Sequence, residues 1–154
     1  DLGNNSILIP NNITLSVWVK ATSFPTSWHG VFSNMTTWGY GFGLQMGVGQ
    51  KIANMVGGQY ITTTWVPNTN VWYHIVATHD NTTNMNKLYV NGVLEKSQIQ
   101  SLVYEANAKT CIGVFYTTPN LFFYGMIDNV KIYNRVLSPD EVRQSYNVER
   151  LYEE

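Results

Sequence analysis

The chain has 154 residues, a net charge of −1 and only 12% charged side chains, so it lacks the basic field that a nucleic acid or an anionic membrane surface requires. Its apolar runs are strand-sized and its first residues lack the charged-then-apolar layout of a signal peptide, which leaves membrane insertion without a segment to carry it. This length suffices for one domain over residues 1–154 to bury a core without disulfides; beginning at Asp1 without Met and already strand-like, the chain reads as excised from a larger protein.

Taken in chain order, period-2 patterning between turn residues predicts strands at 6–9, 15–20, 30–34, 39–46, 51–56, 60–64, 71–79, 87–90, 93–97, 111–114 and 123–133. Many short strands and almost no helix predict an all-β fold, a two-sheet antiparallel sandwich of jelly-roll type closed by a short C-terminal helix. Within 39–46, glycines occupy one face while Tyr40, Phe42, Leu44 and Met46 take the other, which suits a strand approached closely by another backbone or a ligand. His74 and His79 lie five apart on one strand, so they turn to opposite faces and cannot share a zinc ion. Asn91-Gly92 between two apolar pairs is a two-residue hairpin signal, because both central positions of such a turn need positive φ. Cys111 lies in an apolar strand and reads as a buried core thiol.

The run from Phe123 to Val142 carries the densest information. Strict alternation puts Tyr124, Met126, Asp128, Val130 and Ile132 on one face and Gly125, Ile127, Asn129, Lys131 and Tyr133 on the other. Asp128 then sits among apolar neighbours, and its charge has to be met by backbone N–H groups, a cation or a metal. Downstream, Ser138 can cap a helix with Pro139 at its first position and Glu141 completing a capping box.

This segment resembles the closing motif of the laminin G-like, concanavalin A-like lectin/glucanase jelly-roll family, roughly Phe-x-Gly-x-Ile-Asp-x-Val-x-Ile-Tyr-Asn-Arg-x-Leu-Ser-x-x-Glu. Residues 15–20, 71–80 and 87–94 resemble the same family in the same order, so the likeness spans almost the whole chain. The resemblance implies that Asp128, with Asp1, helps to hold a structural calcium ion through oxygen ligands. It implies Trp18 and Trp72 as packing residues. It also implies a choice of roles, since this fold serves both glycan binding and protein interaction.

Catalytic chemistry has no visible carrier. Glycoside hydrolysis requires a pair of carboxyl groups flanking the bond, yet no Asp or Glu occurs between Leu2 and His79 and no Glu-x-Asp-x-x-Glu run occurs anywhere. A Gly-x-Ser-x-Gly elbow is also absent. Aromatic residues, by contrast, make up 14% of the chain, with five Trp and ten Tyr. Trp28, Trp38, Tyr40, Trp65 and Tyr116 lie in or beside loops rich in Thr, Ser, Asn, Gly or Pro, where a ring can stack on the C–H face of a sugar while neighbouring amides and hydroxyls bond its hydroxyl groups. The competing reading for each ring is the edge of the core.

The sequence therefore predicts a non-catalytic carbohydrate-binding module for a neutral glycan, since basic residues are sparse and only Lys20 and Lys51 precede Lys87. The rival reading is an interaction or structural module of a surface, adhesin or virion protein. Low charge with abundant Asn and Thr predicts an extracellular or surface location, and Asn4, Asn12, Asn34 and Asn81 each begin an Asn-x-Ser/Thr sequon.

Overall fold

The computed structural model describes residues 12–35, 41–103, 108–115 and 121–152; the predicted strand at 6–9 lies outside them. The described chain forms β1 (Ile13–Ala21), β2 (His29–Met35), β3 (Phe42–Gly47), β4 (Lys51–Val56), β5 (Gln59–Thr62), β6 (Trp72–Asp80), β7 (Met85–Val90), β8 (Val93–Ile99), β9 (Lys109–Ile112), β10 (Gly125–Tyr133) and α1 (Pro139–Glu149). Two five-stranded antiparallel sheets result, in the orders β10-β1-β6-β7-β8 and β5-β4-β3-β2-β9. We call the first the helix-side sheet and the other the second sheet.

Alternation decides which side chains meet between the sheets. Ile13, Leu15, Val17 and Val19 of β1 face inward and pack with Ile75 and Leu88 against Phe32, Phe42, Leu44 and Ile52 of the second sheet. Their β-branched and aromatic side chains suit a pleated, buried surface. The β7–β8 hairpin turns at Asn91 and Gly92, whose φ values of 50 and 78° are the positive pair the turn requires. Cys111 is buried, and His74 and His79 take opposite faces, His74 towards α1 and His79 between the sheets, where its Nδ1 lies 2.9 Å from Asn86 Oδ1.

The capping box forms as the sequence predicts: Ser138 Oγ accepts from Glu141 N and the Glu141 carboxylate accepts from Ser138 N. From that start α1 crosses the outer face of the helix-side sheet. Val142 packs with Val76, Tyr89 and Leu137, and Tyr146 stacks on Trp18 and His74 at ring separations of 5.9 and 6.1 Å. Glu149 then accepts from Trp18 Nε1 at 2.9 Å and Lys131 Nζ at 2.7 Å. Trp18 is thus a packing residue, 3% exposed.

Strict alternation fails in β10. Its register with β1 pairs Lys131 with Ser16 but Asp128 with Trp18, so one extra residue of β10 is accommodated by a bulge, where Asn129 adopts φ 49°. A bulge reverses the parity of everything on its far side. Ile127 therefore joins Val130 and Ile132 on the core face, while Asp128 and Met126 are exposed. The apolar setting inferred for Asp128 from strict alternation is corrected accordingly.

Candidate functional site

The outer face of the second sheet carries the unusual chemistry. Gln45 stands in the middle of β3 with Gly30 opposite it on β2 and Ala53 opposite it on β4. Its same-face neighbours along β3 are Gly43 and Gly47. Gln45 is thus the one long side chain inside a frame of three glycines and an alanine.

Close approach of other groups explains that frame. A Cβ on Gly30 would lie 2.5 Å from the Val114 carbonyl carbon and 2.6 Å from Phe115 N, because that segment crosses directly over β2. The crossing is fastened by Ser33 Oγ, which donates to Val114 O at 3.0 Å. A Cβ on Gly43 would meet Met35 Cε at 2.5 Å, and one on Gly47 would meet Ser27 O at 2.0 Å and Trp28 Cα at 3.0 Å. The walls around Gln45 are therefore Val114–Phe115, Met35 and Ser27–Trp28.

Two aromatic rings stack on the same outer face. Trp28 leaves the chain beside Gly47, Tyr60 stands opposite Met55 on β5, and their rings stack with centroids 5.2 Å apart and planes at 12°. In the register of β3 and β4, Gln45 and Ala53 lie between the Gly47 and Met55 positions from which the two rings extend. Met35, Met55 and Phe115, with Tyr60 and Leu121 against them, form an apolar cluster on the same outer face. Burial pushes the Tyr60 phenol above its ordinary pKa, so the hydroxyl stays neutral.

Gln45 is 0% exposed, yet neither Nε2 nor Oε1 has a hydrogen-bond partner among the described residues. An unpartnered buried amide costs on the order of 1–3 kcal/mol, and a stacked aromatic pair returns about 0.5–1.5 kcal/mol beyond its burial. Asn54 also has both amide atoms unpartnered, but it shares a face with Ile52 and Val56 and points between the sheets. Within the five strands of this sheet the only charged side chains are Lys51 and Lys109. No carboxylate stands on any of them.

The residues singled out from sequence do not converge. Trp28 belongs to this face. Trp65 belongs to the edge of the core beside β8: its indole N–H donates to Glu95 Oε2 at 2.8 Å and its ring lies 5.6 Å from that of Tyr73, which is the core-edge reading. Trp38, Tyr40, Tyr116 and Asp1 lie outside the described residues. Gln45 and Tyr60 were not predicted, although Gln45 falls in the same alternating row as the glycines of 39–47, and that was its one signal.

Asp128, which the resemblance names for a calcium ion, is exposed. Its Oδ1 accepts from Asn129 N at 2.6 Å, which is the backbone alternative, and no group of three or more His, Cys, Asp or Glu able to hold a metal occurs among the described residues. The sequon at Asn34 is closed to modification, since Asn34 is 1% exposed and its Nδ2 donates to Thr110 Oγ1 at 2.8 Å. No helix among the described residues is long and apolar enough to cross a membrane.

A two-sheet sandwich with a capped helix on one outer face and a closing motif at 123–141 defines the class. The chain belongs to the concanavalin A-like lectin/glucanase superfamily, whose family model matches residues 1–143. Similar folds occur in a candidate carbohydrate-binding protein from Bacteroides ovatus, at 19% identity and TM-score 0.74 over 87% of this chain and 40% of that one. Another is the carbohydrate-binding module of the Ruminococcus gnavus IT-sialidase bound to α2,3-sialyllactose, at 16% identity and TM-score 0.75 over 92% of this chain and 85% of that one. A third is domain 4 of an extracellular arabinanase from Geobacillus stearothermophilus in complex with arabinotriose, at 24% identity and TM-score 0.66 over 87% of this chain and 66% of that one. Identities this low establish the shared fold, and the chain spans 40% of the length of the Bacteroides ovatus protein. Among curated proteins none matches the chain.

Proposed function

We propose that this chain is a non-catalytic carbohydrate-binding module that takes a neutral glycan on the outer face of its second sheet, in a protein that works outside the cell or at a surface. One observation carries the reading: a buried, unpartnered Gln45 amide framed by Gly30, Gly43, Gly47 and Ala53 on the sheet face that also bears the Trp28–Tyr60 stack. Protein sites for sugars combine an aromatic face with a few placed neutral polar groups, and both are gathered here. The strands of this sheet carry no Asp or Glu and only Lys51 and Lys109 as cations, so they offer neither the carboxyl pair that glycoside cleavage uses nor the clustered basic residues that an acidic glycan would need. The glycan ligands in the similar structures from Ruminococcus gnavus and Geobacillus stearothermophilus lend support at the level of class.

Affinity electrophoresis tests the proposal. Native gels cast with neutral polysaccharides (arabinan, xylan, β-glucan) should retard the protein, gels cast with polygalacturonate should not, and no reducing ends should be released. Equal mobility in all of them would refute carbohydrate binding, and release of reducing ends would refute the non-catalytic assignment.

A further inference from the structure

Resting on the reading just given, we infer that Gln45 is the specificity-determining residue of the site: its amide bonds a pair of adjacent hydroxyls on a neutral sugar ring, admitted when the Trp28 and Tyr60 rings part. A primary amide presents an acceptor and a donor side by side. Two neighbouring hydroxyls match it, one donating to Oε1 and the other accepting from Nε2. Neither group carries charge, so the exchange occurs in a buried setting without desolvating an ion.

The surroundings are built for this and for little else. Three of the four positions around Gln45 on its face are glycine and the fourth is alanine, so no neighbouring side chain on the sheet reaches its amide. Both amide atoms are unpartnered while the residue is 0% exposed. Asn54 is likewise unpartnered but is closed between the sheets, so it is the place of Gln45 on the outer face, beside the Trp28–Tyr60 stack, that marks its amide for a ligand. That stack is two flat rings at 5.2 Å, each of which, once separated from the other, offers a face to the C–H side of the sugar whose hydroxyls reach Gln45.

Calorimetric titration of wild type and Gln45→Met with arabinotriose, xylotetraose, cellotetraose and laminaritetraose, alongside thermal melts of both proteins, tests the inference. Methionine keeps the length of glutamine and removes the amide. The expected result is a pair of opposite effects: a higher Tm for Gln45→Met, because an unpartnered buried amide is gone, and an affinity about tenfold weaker or more for the sugar bound by wild type. Monodeoxy analogues of that sugar, titrated into wild type, should lose affinity when either of two adjacent hydroxyls is missing, and Gln45→Met should be indifferent to the same deletions. The wild-type half of that cycle stands even where the variant fails to fold. Unchanged affinity in Gln45→Met, a lowered Tm, or wild-type indifference to every deoxy analogue would overturn the role of Gln45 while leaving glycan binding in place. Failure of wild type to bind any neutral oligosaccharide would overturn the underlying reading and this inference together.

Discussion

Acid should loosen this molecule through one histidine. His74 is 0% exposed beneath α1, with its ring 5.1 Å from Trp18 and 6.1 Å from Tyr146. Its Nε2 lies 2.8 Å from Ser16 Oγ and its Nδ1 has no partner among the described residues. Burial lowers its pKa to about 4; Glu149 nearby pulls upward and Lys131 pushes further down. An unfolded chain takes up the same proton near pH 6.5, so between the two values the unfolded state binds more protons and stability falls as pH is lowered. The native advantage of the neutral ring is complete above about pH 6.5 and is lost progressively down to about pH 4. Working from those two values, a drop from pH 8 to pH 5 costs about 2 kcal/mol through this residue alone, or about 4–8 °C in Tm for a domain of this size. His79, also lowered by burial, shifts stability in the same direction, so the assay needs a variant that isolates His74. Thermal melts followed by circular dichroism at pH 8, 7, 6 and 5 should show a slope in wild type that flattens by about that amount in His74→Phe. Parallel wild-type and variant lines would refute the assignment of a neutral buried ring.

Three further outcomes are expected. Glu149, whose burial pushes its pKa up but whose bonds from Lys131, Ser145 and Trp18 outweigh that and hold it below the ordinary value, anchors the end of α1. Glu149→Gln should cost about 1–3 kcal/mol and speed amide exchange within 139–149, read by mass spectrometry. Trp65→Ala should lower stability by about 3 kcal/mol with glycan affinity unchanged, whereas Trp28→Ala should do the reverse, weakening affinity about tenfold with a small change in Tm; denaturant melts and titration separate them. Asp128→Asn should change stability by less than about 0.5 kcal/mol, equally in calcium and in chelator, because the exposed carboxylate bonds only Asn129 N among the hydrogen bonds described; a calcium-dependent rise in wild-type Tm that the variant lacks would make Asp128 a ligand.

Local rules made much of the fold legible. Asn91-Gly92 announces its turn because few residues tolerate two successive positive φ values, and Ser138, Pro139 and Glu141 announce the start of α1 because a capping box needs only four consecutive residues. What escaped was decided by pairing between distant segments. The β10 bulge at Asn129 depends on registry with β1, and nothing within 123–133 shows that Ile127 rather than Asp128 turns inward. Trp65 and Trp28 look alike in sequence, each following polar residues, yet Glu95 and Tyr73 claim one while Tyr60 meets the other. Gln45 was hidden for a related reason. A polar side chain on the outer face of a sheet ordinarily faces water, whereas this one is 0% exposed beside the crossing of Val114–Phe115 over Gly30, an approach that no local pattern announces.

The account stands most directly on a glycan array probed in parallel with wild type, Trp28→Ala and Trp65→Ala. It predicts saturable wild-type binding to neutral glycans that weakens about tenfold in Trp28→Ala and is unchanged in Trp65→Ala. Equal binding by wild type and Trp28→Ala, or loss in Trp65→Ala alone with its fold intact, would contradict placing the site on the outer face of the second sheet.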